Sequence, residues 1–466
     1  MFIALAQLMI ALDATIVTIA LPSAQASLGA SDANRQLVVT AYTLAYGGLL
    51  LVGGRIGDYA GRKRAFIAGL IGFAVASAVG GAAPTFTVLI AARALQGAFA
   101  ALLAPTALSL LAVSFIQPRE RATAFAVYGS IAGSGAAIGL LLGGVLTEYL
   151  SWRWCLFVNI PIAVIAGVGG LLVLPGMARR ARTQFDIPGT ILGTAGLVAL
   201  IYACTEAVSS GWSSTTVLSL IATSVALLGL FVLREAMTPS PLLPLRILTD
   251  RSRGGAYVTV ALISAGMLGA FLFLTYYLQV VLRYTPLQAG LAFLPMTLAT
   301  QVGSWLIARL LMPHVPPRAL MGPGALAAAA GMALLTQLQV TDAYLTIVLP
   351  AEVLIGLGVS SVMVPAFSTA TQRVDQREAG VASATVNTAL QIGGSIGIAL
   401  LNTIAISASA NYAGPRPAAV VHGLSVATEW GAVFLILAAV AAAVLINAPR
   451  PARHTQLSPA RPSPGD

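Results

Sequence analysis

Long apolar runs, separated by short polar segments, fill almost the whole chain. A helix needs about 20 mostly apolar residues to cross the hydrocarbon core of a bilayer, and the runs approach or exceed that length. The pattern therefore predicts an all-α membrane protein. We place fourteen spanning helices at residues 2–22, 37–54, 65–83, 86–112, 122–147, 154–174, 187–206, 214–233, 255–281, 287–310, 319–338, 344–366, 381–406 and 429–448. Because only a short turn near Pro84 separates the third run from the fourth, a count of thirteen stays open.

The composition indicates that lipid is the solvent of this chain. Of the 466 residues, 58% are hydrophobic and 9% are charged, whereas a soluble domain carries about 25% charged residues. The two cysteines and three histidines lack the spacing of a metal or redox site, so we expect no metal and no cofactor. We find no phosphate-binding loop and no supported nucleophile–base pattern, and we therefore expect a protein that is not an enzyme.

Basic residues decide how the spans are oriented, because cytoplasmic loops collect lysine and arginine. With fourteen spans, 20 of the 25 Lys and Arg fall on one side of the membrane. Placing that side in the cytoplasm puts both termini inside. Topology thus explains the net charge of +10, and the short, separate basic loops argue against a nucleic-acid partner.

The segment 118–139 resembles the segment 376–397 when the two are aligned at an offset of 258 residues. An Arg-Glu pair opens a span in each copy, and each copy then has two glycines a helical turn apart, Gly135 and Gly139 or Gly393 and Gly397. Chance similarity between Ala/Gly-rich helices is the alternative. Repeated halves around a central site are a common architecture of transporters.

The repeat divides the chain into regions. We expect an N-terminal six-helix bundle at 1–175, two inserted helices with linkers at 176–250, a C-terminal six-helix bundle at 251–448, and a disordered cytoplasmic tail at 449–466. The tail is rich in Pro, Arg and Ser, which is typical of a segment that cannot bury a core.

A glycine-rich basic segment, GGRIGDYAGRKR (53–64), lies at the end of the second span and in the loop that follows. Its glycines permit a tight turn and close helix contact. Its aspartate can accept hydrogen bonds from a helix N-terminus or pair with an arginine. A loop that only fixed the topology would need neither feature. We therefore expect this segment to make a specific contact in addition to fixing the topology.

Three charged residues lie well inside predicted spans, away from the span ends: Asp13, Arg93 and Glu352. A charged side chain costs about 2.5–3.5 kcal/mol at the centre of a membrane helix on insertion scales. Asp13 and Arg93 belong to the same half of the chain. A nearby arginine favours the ionised form of a carboxyl, whereas burial favours the neutral form. The pair therefore predicts either a proton-binding acid with a tuning arginine, or a structural ion pair between two helices.

Other polar side chains on the spans are candidates for a substrate pathway. Glu352 can attract a cationic substrate, carry a second proton, face a cavity without a coupling role, or lie nearer the outer surface. Amides in membrane helices more often fasten helices together, and tyrosines also form belts at the membrane interface. The candidates are Tyr42, Gln96, Tyr276, Gln279, Glu352, Asn387 and Gln391.

The segment 53–64 resembles the signature loop of the major facilitator superfamily, which runs Gly-x-Leu-x-Asp-Arg-x-Gly-Arg-Lys. The matching residues are Gly54, Asp58, Gly61, Arg62 and Lys63, while Ile56 and Tyr59 replace the usual Leu and first Arg. The segment RALQGAFAA (93–101) is similar to the fourth-span motif of the superfamily. LDATIVTIALP (12–22) and SWRWCLFVNIP (151–161) resemble motifs of its fourteen-helix drug:proton antiporter branch.

Two positions depart from the family pattern. Leu140 stands where the fifth-span antiporter motif usually has proline, and the second-half loop at 308–318 has no aspartate. The first departure removes the expected kink and weakens the motif as a sign of antiport. The second indicates that the loop at 53–64 alone acts as a cytoplasmic latch, formed by Gly54, Asp58, Gly61, Arg62 and Lys63.

The resemblance implies the major facilitator fold and a proton-coupled secondary transporter of a bacterial inner membrane. It implies export of a hydrophobic or amphiphilic small molecule, such as a drug, dye or antibiotic, by alternating access. Asp13 would bind the proton and Arg93 would tune it. The implied partners are the substrate, protons and the lipid bilayer, and we expect a monomer. The alternatives are a proton-coupled carrier of one endogenous metabolite, and a receptor or scaffold that transports nothing.

Overall fold

The computed structural model describes residues 1–29, 32–115, 117–174, 186–239, 241–339, 344–371, 374 and 378–447. Throughout these residues the chain is helical between short connections, and none of them forms a β-strand. A helix satisfies its main-chain N–H and C=O groups internally, as a chain surrounded by lipid requires. The predicted tail at 449–466 lies outside the described residues.

The first half of the described chain contains α1 (Phe2–Leu28), α2 (Asp32–Ala60), α3 (Arg62–Gly81), α4 (Phe86–Ser114), α5 (Pro118–Tyr149), α6 (Trp154–Phe157) and α7 (Asn159–Val173). The inserted segment contains α8 (Ile187–Ser210), α9 (Thr215–Met237) and the short α10 (Leu245–Thr249). The second half contains α11 (Arg251–Tyr276), α12 (Pro286–Ala292), α13 (Leu294–Leu306), α14 (Pro317–Leu335), α15 (Val348–Thr371), α16 (Ala379–Ala410) and α17 (Arg416–Leu445). Two π-helical stretches, Tyr277–Val281 and Ile307–Leu311, continue α11 and α13.

The number of spans agrees with a count near fourteen. Thirteen segments of the described chain are long and apolar enough to cross a membrane. A further long helix, α5, has 32 residues and occupies the position of the fifth predicted span. The third and fourth runs form separate helices, because Thr85 caps α4 by accepting a hydrogen bond from the N–H of Val88.

Several helix boundaries differ from the prediction. α1 continues past the predicted end at Pro22 to Leu28, and α17 begins at Arg416 instead of residue 429. Polar residues extend these helices beyond the apolar runs, so hydropathy alone places the ends too early or too late. The run at 287–310 is divided between α12 and α13, because Pro295 in the first turn of α13 has no N–H to continue the helix.

Glycines of the internal repeat bring helices together in the same way in both halves. A Cβ atom on Gly139 of α5 would lie 2.1 Å from the Thr15 Oγ1 atom of α1. A Cβ atom on Gly397 of α16 would lie 2.1 Å from the Ala265 carbonyl oxygen of α11. In both halves, therefore, the repeated glycine helix packs closely on the helix that opens its bundle.

The two halves meet along two seams. At the first seam α2 packs on α16, and at the second α5 packs on α12, α13 and α15. The inserted α8 lies against both α2 and α16, and α9 packs on α8. Gly47 lets α8 pack closely on α2, because a Cβ atom at this position would lie 2.4 Å from Ile201 Cδ1 of α8. Beyond α8, Trp212 Nε1 donates a hydrogen bond of 3.1 Å to Thr403 Oγ1 of α16.

Candidate functional site

The carboxylate of Asp13 is fully buried inside the first bundle. Its Oδ2 atom lies 2.5 Å from Arg93 Nη1 in an ion pair. Its Oδ1 atom accepts hydrogen bonds from Gln96 Nε2 at 3.0 Å and from Asn159 Nδ2 at 2.7 Å. A single carboxylate of α1 therefore connects α1 to α4 and α7.

The partners of Asp13 extend the cluster to two further helices. Gln96 Nε2 also donates to Ser77 Oγ of α3 at 2.7 Å. The guanidinium carbon of Arg93 lies 4.2 Å from the ring centroid of Tyr42 on α2, a cation–π contact. Arg93 Nη1 also donates to Gln96 Oε1 at 3.0 Å. Five helices of the first bundle thus meet at one buried charge pair, which we call the Asp13 cluster: Asp13, Tyr42, Ser77, Arg93, Gln96 and Asn159.

The local sequence explains this convergence. Arg93 and Gln96 are three residues apart on α4 and therefore share one face of the helix. The next residue, Gly97, lets α4 approach α2, because a Cβ atom there would lie 2.4 Å from the Tyr42 carbonyl oxygen. Three donors, one of them cationic, therefore converge on the two carboxyl oxygens of Asp13. Removing one partner of a buried ion pair costs about 3–5 kcal/mol.

The segment at 53–64 joins the two halves at the first seam. Asp58, at the end of α2, accepts hydrogen bonds from the N–H groups of Gly380 at 3.1 Å and Val381 at 3.2 Å. It also accepts one from Arg62 Nη2 at 3.0 Å. Gly54 lies at the same contact, because a Cβ atom there would lie 2.6 Å from Ala384 Cβ. Asp58 therefore binds both an arginine of its own half and the N-terminus of α16.

The predicted loop at 53–64 is almost entirely helical, which corrects the interpretation of its glycines. α2 continues to Ala60 and α3 begins at Arg62, so only Gly61 lies between them, with φ 93°. The tight turn needs this glycine, whereas Gly54 serves close packing. Lys63 Nζ donates to the carbonyl oxygens of Leu171 at 2.8 Å and Leu174 at 2.6 Å, at the C-terminal end of α7.

A second ion pair lies beside the Asp58 contact. Arg246 of the short α10 pairs with Glu378, the residue that precedes α16. Asp58 and Arg246 thus contact neighbouring positions of one helix terminus from two different parts of the chain. This pair was not among the sequence-based candidates.

Glu352 lies in the second bundle, away from the Asp13 cluster. It occupies the second turn of α15, near the end of the span, and is fully buried. Its Oε2 atom lies 2.9 Å from Tyr344 Oη, and its Oε1 atom has no hydrogen-bond partner among the described residues. Its carboxyl group therefore has a different environment from that of Asp13.

The remaining pathway candidates are spread along the second half. Asn387 Nδ2 donates to the Ser383 carbonyl oxygen of its own helix at 3.0 Å, so this bond does not join helices. Gln391 is half-buried where α16 faces Gly47 of α2. The side chains of three positions discussed above lie outside the described residues: Leu140, Tyr276 and Gln279.

Sequence reasoning missed two members of the Asp13 cluster, Ser77 and Asn159. Asn159 lies in the segment SWRWCLFVNIP (151–161), where an amide among apolar residues was a usable signal. Ser77 had no such signal, because serine is common in membrane helices and can bond its own backbone.

The architecture defines the chain as a multi-pass helical membrane protein with two bundles and a polar contact between them. The model of the Major Facilitator Superfamily matches residues 3–398, and the chain belongs to this family. It is therefore a membrane transporter that handles small molecules.

Known relatives and a solved structure support this assignment. The chain is 51% identical to the puromycin resistance protein of Streptomyces alboniger, over 98% of this chain and 93% of that protein. It is 39% identical to the cephamycin export protein of Amycolatopsis lactamdurans, over 86% of this chain and 83% of that protein. The structure of the human organic anion transporter TETRAN matches with a TM-score of 0.67, 16% identity, and coverage of 95% and 98%. At that identity, the last match concerns the fold alone.

Proposed function

We propose that the protein exports a hydrophobic or amphiphilic antibiotic-like molecule in exchange for protons. Relatives named for puromycin resistance and cephamycin export support the substrate class. The observation that carries the proton coupling is Asp13, a titratable group fully buried against Arg93 in the first bundle. Buried ionisable groups in membrane helices commonly mark proton or substrate pathways.

In this mechanism a proton from outside neutralises Asp13 and weakens its bonds to Arg93, Gln96 and Asn159. The helices that these bonds hold, α1, α4 and α7, then rearrange relative to one another. Release of the proton into the cytoplasm restores the ion pair. Each cycle thus couples one change of charge in the cluster to one change of packing in the first bundle.

One helix connects the cluster to the contact between the halves. α2 carries Tyr42, which lies against Arg93, and also Asp58, which binds the N-terminus of α16. These two residues are roughly 24 Å apart along the helix axis, at 1.5 Å per residue. A displacement of Arg93 is therefore transmitted through the rigid helix α2 to the latch. The latch consists of Gly54, Asp58, Gly61, Arg62 and Lys63.

The proposal includes a topology. The end of the molecule with Asp58 faces the cytoplasm of a bacterial cell, both termini are cytoplasmic, and the working unit is a monomer. The positive residues on that side support the orientation. In this proposal the latch holds the two halves together on the cytoplasmic side, through the bonds of Asp58 to the N-terminus of α16.

The test is transport in everted membrane vesicles that contain the wild-type protein or Asp13→Asn. Puromycin is the first compound of the panel, and an imposed pH gradient supplies the driving force. We expect Asp13→Asn to abolish uptake driven by the gradient and to retain exchange of labelled for unlabelled compound, which needs no net proton movement. Glu148→Gln, which changes an exposed acid at the end of α5, is the matched control.

Two outcomes would contradict the proposal. Full gradient-driven uptake by Asp13→Asn would remove Asp13 from the coupling mechanism. No uptake of any compound by correctly inserted wild-type protein would remove the export function itself.

A further inference from the structure

The contact between Tyr344 and Glu352 lacks a hydrogen for its hydrogen bond if the Glu352 carboxyl group is ionised. Tyr344 Oη lies 2.6 Å from the Ala292 carbonyl oxygen and 2.9 Å from Glu352 Oε2. A phenol has one O–H to donate, and a carbonyl oxygen can only accept. Two acceptors therefore compete for a single hydrogen unless one of them brings its own.

The shorter contact assigns the phenolic hydrogen to Ala292. Burial raises the pKa of Tyr344 above its ordinary value, so the phenol keeps its hydrogen. With that hydrogen directed to the Ala292 carbonyl oxygen, the contact between Tyr344 Oη and Glu352 Oε2 needs a hydrogen on Glu352.

The other carboxyl oxygen leads to the same conclusion. Glu352 Oε1 is buried without a hydrogen-bond partner among the described residues. Asp13, by contrast, receives three donors, and one of them is the guanidinium of Arg93. Burying an unpaired charge costs several kcal/mol. Two carboxyls of the same chain are thus equally buried, but their partners differ. Asp13 has a cationic partner and two amide donors, whereas Glu352 has the main-chain N–H of Met296 and Tyr344 nearby and no cationic partner among the described residues.

We propose that Glu352 holds a proton in this conformation and is a second proton-binding site, separate from Asp13. Among the described residues, Tyr344 is the titratable side chain that contacts Glu352, and Tyr284 lies near Tyr344. The site does not depend on the identity of the exported molecule or on the role of Asp13.

Loss of this proton has a structural consequence. The O–H of Tyr344 then donates its hydrogen bond to the ionised Glu352, and the Ala292 carbonyl oxygen loses that bond. Ala292 is the last residue of α12, immediately before the break that precedes α13. The proton on Glu352 therefore controls whether Tyr344, in the connection before α15, is hydrogen-bonded to the C-terminal end of α12.

Infrared difference spectroscopy of the purified protein in lipid tests the site directly. A protonated carboxyl has a C=O stretch that an ionised one lacks, and ¹³C labelling of glutamate separates Glu bands from Asp bands. We expect a protonated-glutamate band at neutral pH that Glu352→Gln removes. Tyr344→Phe should shift this band, because the carboxyl then loses its hydrogen-bond partner. Asp13→Asn and Glu148→Gln should leave it unchanged.

Thermal unfolding provides a second measurement. The amide of Glu352→Gln can donate to Tyr344 Oη as the protonated acid does, so we expect its melting temperature at neutral pH to match the wild type. A wild-type spectrum without the band, or a band that Glu352→Gln does not remove, would overturn the proposal. A large loss of thermal stability in Glu352→Gln would also overturn it, since that result indicates an ionised group. Because neither measurement involves transport, failure of this proposal is distinct from failure of the export function.

Discussion

Replacing Asp58 by asparagine should open the contact between the two halves. The aspartate accepts hydrogen bonds from two N–H groups of α16 and from Arg62. An asparagine of the same shape keeps one oxygen and presents an NH₂ group to the other donors. The variant therefore loses the negative charge at the helix N-terminus and at least one hydrogen bond across the seam.

The magnitude follows from the bonds that cross between the halves. Hydrogen bonds to a charged group contribute roughly 1.5–3 kcal/mol each, against roughly 1 kcal/mol for a neutral pair. A charge at a helix N-terminus adds up to about 2 kcal/mol when partly buried. In Asp58→Asn the bond to the Gly380 N–H loses its charged acceptor and the bond to the Val381 N–H is lost. Together these changes should destabilise the closed contact by roughly 3 kcal/mol. This corresponds to about a 100-fold shift in the equilibrium between closed and open states.

Distances between spin labels measure this equilibrium. Tyr59 of α2 and Leu311 of the second half are 42% and 39% exposed, so both positions accept a label. The native cysteines, Cys155 and Cys204, are buried and would be replaced first. We expect one narrow distance distribution in the otherwise wild-type protein, and a distribution shifted mainly to longer distances in Asp58→Asn.

Asp250→Asn is the matched control for this experiment. Asp250 also caps a helix, accepting a hydrogen bond from the Arg253 N–H at 2.9 Å, but it acts within the second half. Its replacement should leave the label distances unchanged. Identical distance distributions in Asp58→Asn and the parent protein would refute the reasoning, because the contact would then contribute nothing to closure.

Two further substitutions test the packing around the Asp13 cluster. Asn159→Ala removes one donor to Asp13 and should lower the free energy of unfolding by about 1–3 kcal/mol, measured by thermal melting, and unchanged melting would show that this bond is dispensable. Gly139→Ala places a Cβ atom 2.1 Å from Thr15 Oγ1 and 2.9 Å from the Leu12 carbonyl oxygen, so α1 must move. We expect a cost of about 1–3 kcal/mol and reduced export. Gly144→Ala, whose Cβ atom would meet nothing within 4 Å, should behave as the wild type, and equal effects of both substitutions would contradict the packing argument.

The sequence predicts the elements that depend on local pattern and misses those that depend on distant partners. Apolar runs indicate the spans, and the cost of a buried charge identifies Asp13 and Arg93. The bond between Asn159 and Asp13 joins residues 146 apart in the chain, and local periodicity carries no information about it. The connection at 53–64 was predicted as a loop because charged residues lower its hydropathy, although its backbone remains helical up to Ala60.

The environment of Glu352 is another feature that the sequence alone does not predict. The apolar run at 344–366 predicts a span that places it more than two turns inside, but α15 begins only at Val348. The acid therefore lies near the end of the helix, where it can reach Tyr344 in the preceding turn. Whether a carboxyl is charged depends on the number of donors around it, and only the packed structure provides that number.

The inserted helices make the two seams unequal. Because α8 lies across the contact of α2 with α16 and α9 lies outside α8, the first seam is covered by protein, whereas the second, between α5 and α13, lacks such a cover among the described helices. We therefore expect inhibitors that enter from the lipid phase to compete at the second seam. Lipids that line this seam should influence which compounds the protein admits.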